Sequence, residues 1–184
     1  MLVDGDLTLR PVTEEDLPAR YAWTVDAQTH LIADSRPLLP ITWERYLERS
    51  AGRPSSPDNE LYTIEVDGRR VGHCQLTLFD HLARSAMVGI TLAPGERGRH
   101  VGRRSVRLLV DHGFRDRGLH RVWLGTSSDN IAGQRADRAV GFVQETLERE
   151  QSWVDGRYVD EMRMSILRHE WDAVQTRASA DADG

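Results

Sequence analysis

The segment Val88-Gly-Ile-Thr-Leu-Ala-Pro-Gly-Glu-Arg-Gly-Arg-His-Val-Gly-Arg-Arg104 gathers residue types that can hold an anion. The sequence predicts a strand ending at Leu92 and a turn at Pro94, after which an Arg/Gly-rich loop opens directly into a helix. In that helix Val106, Leu109, Val110 and Phe114 recur at 0, +3, +4 and +8, the period of an amphipathic face. The first turn of a helix carries N–H groups with no intrahelical partner, and the positive end of the helix dipole lies there. Gly98 and Gly102 would let a phosphate approach the backbone, and Arg97, Arg99, Arg103 and Arg104 would add charge-assisted donors. The expected device is an anion cradle. Its spacing is neither the dinucleotide glycine fingerprint nor a Walker loop, because Gly98 and Gly102 stand four apart and no lysine follows.

Composition narrows what else the chain can be. All 24 basic residues among its 184 are arginine. The absence of lysine excludes Schiff-base lysines, pyridoxal-phosphate catalysis and lysine-dependent P-loop nucleotide hydrolysis. Hydrophobic residues at 39% and charged residues at 29% suit one soluble globular domain, and no apolar run is long enough for a membrane helix. The N-terminal residues from Met1 to Asp6 lack the basic start and apolar segment of a secretory signal, so a cytoplasmic location is expected. The single Cys74 cannot form an internal disulfide, and its mid-strand place predicts a small buried hydrophobe. The seven histidines show no HExxH or other tight ligand spacing, so no metal site is expected. A net charge of −5 argues against nucleic-acid binding and allows a cationic partner. A nucleic-acid face would have to be built from Arg97, Arg99, Arg103, Arg104 and Arg107.

The elements that must position the cradle follow from pattern. Leu7–Pro11 reads as a first strand, Thr13 caps a helix running to about Ala27, and Thr42 caps a second helix through Arg49. Loops are expected at residues 35–40 and 52–59. Leu61–Val66 and Arg70–Phe79 form a hairpin about Asp67-Gly68, and the stretch from Arg84 to Leu92 continues the meander. After the Gly102–Phe114 helix come a strand from Arg121 to Gly125, a helix from Asn130 to Ala139, and a hairpin of Phe142–Trp153 with Tyr158–Leu167. The order is β-α-α-β-β-β-α-β-α-β-β. It predicts an α+β class with a mixed, mostly antiparallel central sheet and helices on both faces. One domain is expected over residues 1–170, with a disordered C-terminal tail over 171–184.

These features resemble the GNAT family of N-acetyltransferases, in particular the branch of ribosomal-protein N-terminal acetyltransferases and their small-molecule relatives. The family's pyrophosphate loop, Gln/Arg-x-x-Gly-x-Gly/Ala, is matched by Arg97-Gly98-Arg99-His100-Val101-Gly102 at Arg97 and Gly102, with His100 in place of the central glycine. The likeness extends upstream to Leu9-Arg10-Pro11 and downstream to Asn130 and Gly141-Phe142, covering residues 7–167. It implies transfer of an acetyl group from acetyl-CoA, by direct attack, to a primary amine on a small molecule or a protein N-terminus. Backbone groups of Thr91 and Leu92 would pair with the pantetheine arm as an added half-strand does. The amides of Arg97, Gly98, Arg99, His100, Val101, Gly102 and Arg103 would hold the pyrophosphate, and Asn130 would lie beside the pantetheine, where its amide can donate and accept. A backbone N–H near Leu92 would meet the developing oxyanion.

The chain departs from the family at the proton-transfer end. Met87 stands where a glutamate is common, Asp137 where many relatives carry a tyrosine acid, and Gly133 where some carry a serine. An alkyl amine with a pKa of about 10.4 is roughly 99.9% protonated at pH 7, so a base or a water chain must deprotonate it. Glu148 and Glu150 share a face by period two, and Glu150 is the expected base. Ser128 is the expected acid for the departing thiolate, although Ser128 or Asp129 could instead cap the helix near Asn130. The second reading is a non-catalytic acyl-CoA-binding domain that kept the fold and lost its acid and base. A final hairpin with exposed edges allows a homodimer.

Overall fold

Alternating apolar and polar side chains from residue 60 to residue 92 fold as the predicted antiparallel meander. The computed structural model describes residues 1–33, 40–51 and 56–182, so the loops expected at 35–40 and 52–59 lie largely outside the described residues. Strands β1 (Leu2–Asp4), β2 (Leu7–Pro11), β3 (Glu60–Val66), β4 (Arg69–Asp80) and β5 (Ser85–Leu92) pair in chain order, all antiparallel. Asp67 and Gly68 both have positive φ, 50° and 73°, the condition for a type I′ turn that matches strand twist. Strand β1 is an addition to the predicted set. It has three residues, partly or fully exposed, and no alternation from which to read it.

Helix α4 (Val101–Arg115) carries the chain from β5 to β6 (Arg121–Ser127), the one parallel neighbour of β5. Strands β7 (Val143–Val154) and β8 (Arg157–Leu167) complete an eight-stranded sheet in the order β1-β2-β3-β4-β5-β6-β8-β7. Leu76, Val122 and Ile166 on one sheet face meet α4 and α5 (Ile131–Val140), where Val106, Leu109, Val110, Phe114 and Val140 are buried. Cys74 is wholly buried in this core, and burial pushes its thiol well above the ordinary range.

The tail corrects the sequence reading. Helix α6 spans Arg168–Ala182, so residues 171–182, expected to be disordered, are helical. Trp171 is 1% exposed, lies 6.2 Å from the Phe114 ring, and donates its indole N–H to Asp111 at 3.2 Å. The Glu170 carboxylate accepts the Leu167 N–H at 2.8 Å and so closes the start of the helix. One buried aromatic thus anchors a stretch whose composition otherwise resembles a solvated tail.

The other face carries a 3-10 turn (Glu14–Asp16), α1 (Leu17–Val25), α2 (Ala27–Ala33) and α3 (Trp43–Ala51). The single helix predicted from Thr13 breaks at Asp26, which is extended and whose carboxylate accepts the Thr29 N–H at 2.8 Å to cap α2. Asp16 fixes this layer to the sheet. It is 1% exposed, takes both terminal nitrogens of Arg10 at 2.7 and 2.8 Å, and accepts from the Thr13 amide and the Thr63 hydroxyl. Burial alone would raise its pKa, but these bonds overcome burial and hold the carboxyl well below the usual range. A depressed folded pKa gives stability that is complete at neutral pH and is lost as pH falls below about 4. Asp16→Asn should therefore cost about 2 kcal/mol at pH 7, and the gap from wild type should shrink in acid. Denaturant melts at pH 7 and pH 3 check this, and an equal gap at both would refute it.

Candidate active site

Strands β5 and β6 pair only at Ser85 with Arg121, Ala86 with Val122 and Met87 with Trp123, and then diverge. Beyond that point β5 stays paired with β4 and β6 with β8, leaving a slit between two strand margins within one sheet. Strand margins with unpaired amides and carbonyls can take an extended ligand as an added strand. Thr91 and Leu92 lie at the open end of the slit, opposite His73 and Gly72 of β4. The Leu92 and Ile90 side chains reach towards Gly102, lying 3.6 and 3.9 Å from where a Cβ on that glycine would be, so the end of β5 packs on the start of α4.

The loop between them turns through Gly95 and Gly98, both at positive φ. His100, the N-cap of α4, has φ 61° and ψ 2°, so the position where relatives prefer glycine does require the left-handed conformation, here adopted by a residue with a Cβ. Its side chain makes no capping bond, which leaves the first-turn amides of Val101, Gly102 and Arg103 facing outward from the helix end. Arg97 is half-buried and Arg103 exposed, and Arg99 lies 3.5 Å from Glu96. Arg104 is a correction. Its guanidinium is bound by Asp4 and Asp6 at 2.8 and 2.7 Å, so it ties α4 to the N-terminal hairpin and is not a spare donor of the cradle. Arg107 likewise lies over the Trp171 ring and bonds to Gln175.

At the other margin the sequence-predicted residues separate. Asn130 is the N-cap of α5, its side-chain oxygen accepting the Gly133 N–H at 3.0 Å while its amide nitrogen lies 3.4 Å from the Thr126 hydroxyl. Half of its expected capacity is spent on the cap, and a Cβ on Gly133 would meet the Asn130 amide at 2.5 Å, which explains the glycine there. Because Asn130 caps the helix, Ser128 does not; the Ser128 N–H donates to the Asp160 carbonyl at 2.9 Å. The Glu150 N–H donates to the Asp160 carboxylate, also at 2.9 Å, so both candidates lie at the same end of the sheet. Glu150, however, sits exposed at φ 52° in a bulge between Glu148 and Ser152. That bulge interrupts the period-two relation expected between Glu148 and Glu150.

Two side chains missed by the sequence reading, Glu161 and Arg163, stand out instead. Glu161 lies directly opposite Glu148 across β7 and β8, and its carboxylate accepts the hydroxyl of the buried Ser152 at 3.0 Å. A Cβ on Gly125 would overlap the Glu161 carboxylate, so that glycine lets the carboxylate lie across β6 beside the slit. Arg163 pairs with Glu148 at 3.0 Å and stacks 4.7 Å from the Trp123 ring centroid. The alternation of β8 was the signal that could have placed Glu161 and Arg163 together. On α5, burial pushes the Asp137 carboxyl up to about 7, opposed by the charge of Arg138.

A family model described as an acetyltransferase (GNAT) domain matches residues 6–143. The chain is 25% identical over 166 residues to the spermidine N(1)-acetyltransferase of Escherichia coli (strain K12), covering 89% of this chain and 87% of that one. It superposes with a TM-score of 0.85 on a spermidine N-acetyltransferase from Vibrio cholerae in complex with CoA and spermine, at 21% identity over 91% of this chain and 99% of that one. A ribosomal L7/L12 alpha-N-protein acetyltransferase in complex with coenzyme A superposes with a TM-score of 0.81, at 18% identity over 90% and 96% of the two chains. With a split sheet, an open helix terminus beside it and a family model spanning well over half its length, the chain belongs to the GNAT acetyltransferases, enzymes that move an acetyl group from acetyl-CoA to an amine.

Proposed function

We propose that the acceptor is a small cationic amine of the polyamine class, and that its ammonium groups meet the β7–β8 face beside the slit. The observation that carries this is the pair Glu148 and Glu161, directly opposite each other on neighbouring strands. Like charges so placed are destabilising unless a cation lies between them. Arg163 offsets Glu148, while Glu161 has a hydroxyl donor in Ser152 and, among the described residues, no ion pair to a cation. The names of the spermidine-acetylating relatives support the same acceptor class.

On this reading the acetyl-CoA arm lies along Thr91 and Leu92, the diphosphate rests on the amides and side chains of residues 97–103, and Asn130 flanks the arm. Glu150 or a water chain leading past Glu161 takes the proton of the attacking amine. The unpaired Cys74 suits the reducing cytoplasm. The outer edge of β7, with Val143 and Leu147 exposed, is where a second copy would pair.

The test is thiol release from acetyl-CoA against a panel of spermidine, a monoamine and a peptide with a free N-terminus. Spermidine is expected to react and the monoamine to react much more weakly. Glu161→Gln should raise KM for spermidine with little change in coenzyme affinity. Release with the peptide alone would overturn the acceptor class, and no release with any amine despite coenzyme binding would favour a non-catalytic coenzyme-binding domain.

A further inference from the structure

The slit opens between two glycines. Met87 of β5 and Trp123 of β6 form the last pair that joins the two strands. Val88 and Leu124, the next residue on each, belong to the core. By alternation Met87, Gly89, Trp123 and Gly125 therefore lie on the other face, away from α4 and α5. Two residues past the last pair, Gly89 and Gly125 stand on opposite margins of the slit and on the same face. Each is overlain by a polar side chain from the neighbouring strand. Gln75, directly opposite Gly89 on β4, folds its amide over that glycine: a Cβ there would lie 3.1 Å from its Nε2 and 3.3 Å from its Cγ. The nitrogen is the end nearer the glycine, which leaves the amide oxygen as the outer end. The Glu161 carboxylate of β8 lies across Gly125 in the same way. Glycine inside a strand often marks a place that something else must approach closely. Neither margin carries a side chain of its own at this step, and each borrows one from its neighbour. Among the described residues the Gln75 amide has no hydrogen bond, and Glu161 has the Ser152 hydroxyl and no ion pair.

We infer that Gln75 is an acceptor-binding residue: its amide oxygen and the Glu161 carboxylate hold the two N–H groups of a primary amine between them at the start of the slit. This deepens the polyamine reading and rests on it. Glu161 supplies the charge that draws an ammonium group in. A second carboxylate at residue 75 would favour the ammonium form and raise its pKa, whereas attack on the thioester needs the neutral amine. A carboxamide oxygen accepts an N–H without adding that charge. A neutral primary amine has two N–H groups and one lone pair. With one N–H bound at each margin, the lone pair turns into the slit, where the thioester arm lies on the proposed reading. A secondary amine has a single N–H and leaves one margin unpaired, and sites built to hydrogen-bond a group reject analogues that lack it. The same two side chains thus select a primary nitrogen and orient it.

The experiment compares wild type, Gln75→Met and Gln75→Glu in turnover of acetyl-CoA with spermidine and with its analogue methylated on both terminal nitrogens. Coenzyme A affinity is measured alongside. Gln75→Met keeps the length of the side chain and removes its polar head, so kcat/KM for spermidine should fall about tenfold. Wild type should prefer spermidine to the methylated analogue, and that preference should shrink in Gln75→Met while coenzyme A affinity holds. Gln75→Glu keeps an acceptor and adds a charge. Its preference for spermidine should persist, and the acid limb of its kcat should move to higher pH, because an ammonium between two carboxylates gives up its proton less readily. Spermidine turnover by Gln75→Met equal to wild type, or an equal loss for both amines, would overturn the assignment. So would a matching loss of coenzyme A affinity, which would mark Gln75 as a support of β5 alone. An unshifted acid limb in Gln75→Glu, which retains a polar head, would overturn it as well. Acetylation of the peptide and not of spermidine by wild type would be a failure of the polyamine reading, distinguishable from all of these. The same variants, given the peptide's primary α-amine and its N-methyl form, then decide the role of Gln75.

Discussion

Gly72→Ala is expected to lower stability by about 1–3 kcal/mol and to weaken coenzyme A binding by about tenfold or more, the equivalent of about 1.4 kcal/mol. Gly72 lies opposite Leu92 on β4. A Cβ there would press into the Thr91 carbonyl oxygen and stand 3.1 Å from the Leu92 Cα. Both obstacles are backbone, so no rotamer change can relieve them. The strand end must move, and it is held in place by the Ala93 N–H bonding to the Val71 carbonyl at 2.8 Å. Thr91 and Leu92 are the residues proposed to lie along the thioester arm, so their displacement reaches function as well as stability. Thermal melts and calorimetric titration with coenzyme A read the two effects separately. Unchanged affinity in a folded variant would show that the arm lies elsewhere.

Phe114→Ala should remove about 3–5 kcal/mol, the usual loss when a fully buried phenylalanine leaves a cavity. The ring is 0% exposed, packs on Trp171, and occupies the last turn of the helix whose first turn is the proposed cradle. At about 2–4 °C per kcal/mol for a chain of this size, the melting temperature should fall by roughly 6–20 °C. Because Phe114 and Trp171 share one contact, Phe114→Ala and Trp171→Ala together should lose less than the sum of the two. A melting temperature equal to that of wild type would show that this helix face does not form core.

Elements whose patterns repeat over several turns or pairs were legible. The α4 stripe of Val106, Leu109, Val110 and Phe114 is buried as its spacing requires, and Asp67-Gly68 turns β3 into β4. Elements decided by one distant contact were not. Helix α6 depends on Trp171 reaching Phe114, β1 on three residues pairing with β2, and the break between α1 and α2 on one side-chain bond from Asp26. Within the candidate site, the loop could be singled out because glycine and arginine mark a possible anion cradle locally. The fate of Arg104 was not, since its partners Asp4 and Asp6 lie about a hundred residues away in sequence. Asp137 shows the same limit in another form. Its letter suggests a charged side chain, but the desolvation that lets it keep a proton belongs to the assembled fold.

Three residue pairs are all that join β5 to β6. The eight strands therefore behave as two panels on a short seam, β1 to β5 on one side and β6 to β8 on the other. Past the seam each panel presents a strand border along which an extended ligand could be stitched. On the proposed reading coenzyme is that thread, and with it bound the chamber would have a wall against which an amine can be aimed. On the same reading the acetyl donor would arrive before the acceptor, and spent coenzyme would be last to leave.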